Sequence, residues 1–89
     1  MNKIVLITTQ GCQGCIIARN SINEALTETN KDVTFEELDC KNVQKKYLKK
    51  FGITDYPAIL FFRDDELKVK KTGSVPAIII LRWINLNFW

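Results

Sequence analysis

Eighty-nine residues hold enough material for one hydrophobic core and not for two, so a single domain spanning residues 1–89 is expected. Apolar residues at 46% and charged residues at 26% exclude a disordered chain, and a net charge of +3 supplies no concentrated basic surface for nucleic acid beyond Lys45, Lys46, Lys49 and Lys50. The densest apolar stretch, residues 75–89, is interrupted by Arg82, Asn85 and Asn87 and falls short of the roughly twenty residues of a bilayer span, so no membrane segment is expected.

The chain opens with a short, β-branched apolar run over residues 3–9, which predicts a first strand covered on both faces. A turn holding Gln10, Gly11, Cys12, Gln13, Gly14 and Cys15 leads into residues 16–29, where Ile16, Ala18, Ile22, Ala25 and Leu26 recur near helical spacing. Residues 33–39 begin with the apolar and polar alternation of a second strand, lying at an edge. From Asn42, read as a cap, Val43, Tyr47, Leu48 and Phe51 share one face of a second helix that Gly52 ends. Residues 57–62 form a third apolar strand, residues 63–66 a turn, and residues 67–72 the alternating, polar edge strand of a hairpin. Ser74 is read as the cap of a third helix over residues 75–87, with Pro76 in its first turn. The order β-α-β-α-β-β-α implies an α/β fold: a four-stranded mixed sheet flanked by three helices, its first two strands parallel and its last two antiparallel.

Three cysteines in a chain without an evident export signal point away from a disulfide scaffold and towards redox or metal chemistry in the cytoplasm. Cys12 and Cys15 are spaced to close a small disulfide ring. If the first opens a helix, backbone N–H groups and the helix dipole stabilise its thiolate, the reactive form. Cys12 is then the nucleophile and Cys15 the resolving thiol of a thiol-disulfide exchange. Gly11 and Gly14 leave the backbone open to a substrate chain. The same spacing is half of a structural zinc site, but histidine is absent and Cys40 is the one further sulfur ligand. No metal and no cofactor is therefore expected, with a non-catalytic sensor or metal-binding module as the alternative.

The strand, the CxxC at a helix opening, and then Phe51-Gly-Ile-Thr-Asp-Tyr-Pro-Ala-Ile-Leu-Phe-Phe62 followed by Gly73 and Leu81-Arg-Trp-Ile84 resemble the thioredoxin superfamily over nearly the whole chain. The resemblance implies that Pro57 is held in cis beside the disulfide and that the backbone of Tyr56 pairs with an extended substrate segment. It makes Tyr56, Pro57, Gly11, Gln13, Gly14 and Gly73 the candidate substrate-contacting residues. It also implies protein disulfides as substrates and a flavoprotein reductase or a low-molecular-weight thiol as electron donor. The chain departs from thioredoxins in lacking an extra N-terminal strand and helix, in having Gly11 for a tryptophan, and in having Leu6 near the place of a buried aspartate. Its central dipeptide is Gln13-Gly14, and the paired glycines and acidic residue with which glutaredoxins hold glutathione are missing. With no histidine between the cysteines to over-stabilise the thiolate, a reductant is expected.

Cys40, just past the second strand, is read as a semi-buried small hydrophobe or a regulatory thiol at the sheet end that carries the CxxC. The lysines of the second helix are read as a solvated face or an acidic-partner surface. The third helix is apolar over more than one face, through Ile78, Ile79, Ile80, Leu81, Trp83, Ile84 and Leu86. That width fits either a cover for the sheet or a homodimer contact.

Overall fold

The computed structural model describes residues 1–89. In chain order its elements are β1 (Asn2–Thr8), α1 (Gln13–Glu28), β2 (Val33–Asp39), a single 3-10 turn (Cys40–Asn42), α2 (Lys45–Lys50), β3 (Ala58–Arg63), β4 (Glu66–Thr72) and α3 (Ala77–Asn87). The sheet runs β2-β1-β3-β4, with β1 parallel to β2 and antiparallel to β3, and β3 antiparallel to β4. This is the α/β mixed-sheet, three-helix architecture expected from the element order.

β1 is central, which is why its apolar residues are consecutive. Ile4 and Leu6 point to one face with Ile59 and Phe61, while Val5 and Ile7 point to the other with Ala58 and Leu60. The first face is closed by α1 and α3 through Ala18, Ile22, Ala25, Ile80 and Ile84, all at most 1% exposed. Phe61 lies edge-on to Trp83 and stacks on Phe88 at ring separations of 5.9 and 5.2 Å. The second face is covered by α2 and the segments around it, with Ile53 as its one buried residue outside the strands.

Several boundaries differ from the sequence expectation, each for a local reason. α1 starts at Gln13 and not at residue 16, because the Cys12 sulfur accepts the Cys15 N–H and caps the helix three residues earlier. Asn42 is not the cap of α2. The Asp39 carboxylate accepts the Lys41 N–H at 2.9 Å and winds residues 40–42 into the 3-10 turn, so α2 begins after Gln44 with no side-chain cap. Ser74 likewise does not cap α3. Pro76 occupies that position, its carbonyl accepting the N–H groups of Ile79 and Ile80, which leaves Val75 and Pro76 outside the helix. The β3–β4 connection is two residues, Asp64 and Asp65, both with positive φ, the geometry of a tight hairpin turn.

Along α3, Ile80 and Ile84 face the sheet while Ile78 and Leu86, with Trp89 beyond the helix, are exposed. No helix is long and apolar enough to cross a membrane.

Candidate active site

β1 ends at Thr8, and the chain must turn sharply from the end of this central strand into α1. Gly11 makes that turn at φ +70, a conformation that side chains rarely adopt even though a Cβ there would meet nothing within 4 Å. The turn delivers Cys12 to the helix N-cap and Cys15 to the first helical turn. The two are joined in a disulfide with Cα atoms 5.2 Å apart. Their surroundings differ: Cys12 is half-buried, whereas Cys15 is 2% exposed beneath it. The Cys15 N–H lies 3.0 Å from the Cys12 sulfur, and no acidic side chain occupies the first turn of α1. The helix N-terminus therefore directs an uncancelled partial positive charge at the outer sulfur.

The other expected contact residues gather at the same place. The Tyr56–Pro57 peptide bond is cis, and Pro57 is buried. A Cβ on Gly14 would sit 3.3 Å from Pro57 Cδ, so the CxxC turn lies against the proline ring with room for an added side chain only if one of them gives by a few tenths of an ångström. The Gly73 N–H donates to the Pro57 carbonyl at 2.8 Å, tying the segment after β4 to this loop, and Gly73 takes a positive φ of 90°. Gln13 is exposed at the helix start. Tyr56 is half-buried, and burial, followed by the Cys40 thiol that faces its hydroxyl, pushes its phenol above the usual value. Cys40 itself is half-buried, with its sulfur 3.7 Å from the Thr9 hydroxyl, at the same end of the sheet as the disulfide.

Leu6, on the strand leading to the site, is fully buried among apolar side chains. No three His, Cys, Asp or Glu side chains converge into a metal-binding group. The lysines of α2 project from a helix with no buried residue of its own.

Two residues of interest escaped the sequence reading. Beside the disulfide lies an open recess of about 420 Å³ whose walls include Thr9, Gln13, Ile16 and Arg19. Arg19 donates to Glu37 of β2 through Nε and Nη2 at 2.6 and 2.7 Å. Those hydrogen bonds hold the Glu37 carboxyl below the usual carboxylate range against its partial burial. Arg19 was findable, because a residue four positions after Cys15 stands on the same side of a helix. Its partner was not, since Glu37 reaches it only through the β1–β2 pairing. A larger groove of about 640 Å³ lies between α2 and the second sheet face and touches none of the cysteines.

The thioredoxin family model matches residues 2–85. No curated protein sequence matches the chain. Among solved structures, the fold is similar to that of thioredoxin-2, described as a component of malaria parasite protein secretion machinery. The TM-score is 0.84 at 14% identity, covering 98% of this chain and 84% of that one. It is also similar to a second malarial protein, with a TM-score of 0.82 at 13% identity, covering 100% of this chain and 99% of that one. At such identities the likeness carries the fold alone.

Proposed function

Because the chain belongs to the thioredoxin family, we propose that its cysteine pair works as a disulfide reductase, with Cys12 as nucleophile and Cys15 as resolving thiol. The observation that carries this reading is the asymmetry of the pair: an accessible sulfur at a helix N-cap over a buried one.

In the reduced protein, the α1 N-terminus and the Cys15 N–H favour the Cys12 thiolate. That thiolate attacks one sulfur of a substrate disulfide. A bond forms between Cys12 and that sulfur, the substrate S–S bond breaks, and the second substrate sulfur leaves as a thiolate that takes a proton from water. Cys15 then gives up its proton and attacks Cys12. The Cys12–Cys15 bond forms and the first substrate sulfur departs as a thiol. The substrate gains two electrons and two protons, and the protein is left oxidised. An external dithiol, supplied by a flavoprotein reductase, or two molecules of a low-molecular-weight thiol that leave joined as a disulfide, restores it, so no bound cofactor is needed. Leu6, being apolar, offers no proton acceptor for this exchange.

Substrate proteins dock in extended form along the backbone of Tyr56, against Pro57 and the Gly14 surface, with Gly11, Gln13 and Gly73 bordering the contact. The proposed setting is the reducing cytoplasm, where a CxxC cycles between dithiol and disulfide. The reading is tested by dithiol-driven reduction of insulin. The wild-type chain should accelerate it, Cys12→Ser should abolish the acceleration, and Cys15→Ser should accumulate a mixed disulfide through Cys12. Full activity in Cys12→Ser would overturn the assignment.

A further inference from the structure

Arg19 lies beside the reactive disulfide, yet it has no part in the exchange described above. A guanidinium carries five N–H donors arranged as two forked edges. Glu37 takes the edge formed by Nε and Nη2, and no other acceptor bonds to Arg19. The second fork, formed by Nη1 and the remaining Nη2 hydrogen, has no protein partner. The side chain is 39% exposed and forms part of the recess wall together with Cys12, Cys15, Gln13 and Ile16. Glu37 thus fixes the plane of the guanidinium while leaving free an edge whose geometry matches a second carboxylate. Ile16, itself half exposed, supplies an apolar part of the same recess wall.

We propose that this recess is a specificity subsite for disulfides carrying a carboxylate close to the attacked sulfur, with Arg19 receiving the carboxylate and Ile16 packing on the carbon chain that bears it. The inference rests on the oxidoreductase reading and adds a substrate class to it. Neither Tyr56 nor Pro57 lines this recess, so the carboxylate contact is additional to the backbone docking proposed for them. Because Glu37 cancels the charge of Arg19 at a distance, the subsite gives direction at contact and little long-range attraction.

The test compares two small disulfides of similar size: dithiodipropionate, with a carboxylate on each arm, and dithiodiethanol, its uncharged counterpart. The pre-reduced full chain is mixed with each, and the ratio of the two second-order rate constants, anionic over neutral, is measured for wild type, Arg19→Gln and Arg19→Lys. The ratio should fall about tenfold in Arg19→Gln, the effect of losing one charge-assisted contact at a partly exposed site. It should recover in part in Arg19→Lys, which keeps the charge but lacks the fork. An unchanged ratio in Arg19→Gln would overturn the subsite, including the case where both rates fall by one common factor, which would assign Arg19 to the reactivity of Cys12. A wild-type chain that reduces neither disulfide would show a different failure, that of the oxidoreductase reading, and the subsite would fall with it.

Discussion

The two faces of the sheet are built to different depths. Under α1 and α3 lies a cluster of ten buried residues centred on Ile22, Phe61 and Ile84. Under α2 lies a cluster of five, roofed by a six-residue helix that contributes no buried residue and bordered by the open groove. The disulfide belongs to the deep face, since α1 carries it and α1 is anchored through Ala18, Ile22 and Ala25. Tyr56 and Cys40 pack against the thin face. The cysteine pair is thus rooted in the more deeply packed half of the molecule, while the neighbouring loops pack against the shallower half.

The strongest way to break this comparison is to remove a side chain from each face. Phe61→Ala should lower the unfolding free energy by about 3–5 kcal/mol, because its ring fills the space between the sheet, Trp83 and Phe88. Leu60→Ala, on the opposite face of the same strand, should cost nearer about 2 kcal/mol, since Leu60 borders the groove and its surroundings can relax. Denaturant titration of both variants checks this, and equal losses would contradict the two-depth picture. Hydrogen exchange sharpens it without mutation: amides of α2 should exchange through local opening, ahead of those in the middle of α1.

A smaller effect separates geometry from stability at the site. In Gly14→Ala the helix gains up to about 1 kcal/mol of propensity while the new methyl group presses on Pro57. Stability measured by denaturation should stay within about 1 kcal/mol of wild type, whereas insulin reduction should slow, because the methyl group shifts the turn relative to the proline ring. Unaltered activity would show that this contact is not part of the docking surface.

The smallest expected effect concerns pH. The folded-state pKa of Glu37 is depressed, so its pair with Arg19 stabilises the fold above the unfolded carboxyl value of about 4.3 and is lost as pH falls through the lower folded value. Thermal unfolding followed between about pH 5 and 3 should therefore show a slightly shallower loss for Glu37→Gln than for wild type, in keeping with an exposed pair. An identical slope would mean that the pair adds nothing to stability.

The order of elements and the disulfide-bonded cysteine pair were legible because they depend on local patterns: consecutive apolar residues for a strand buried on both sides, and a CxxC following it. The helix starts were less so. Nothing in residues 10–16 announces that a cysteine sulfur will act as the cap of α1, and Asn42 looks like a cap until Asp39 winds the preceding turn. Contacts made across the fold were hidden for a different reason. Gly14 meets Pro57, and Arg19 meets Glu37, only once the β1–β2 and β1–β3 registers bring their elements together.

The central claim is that Cys12 and Cys15 form a reversible redox pair poised for reduction of other disulfides. Equilibrating the protein in defined thiol-disulfide buffers measures this most directly. A two-electron transition confined to these cysteines, with a potential near about -270 mV, is the predicted result. A pair that forms no reversible disulfide, or one that titrates near about -120 mV as a strong oxidant does, would contradict the account.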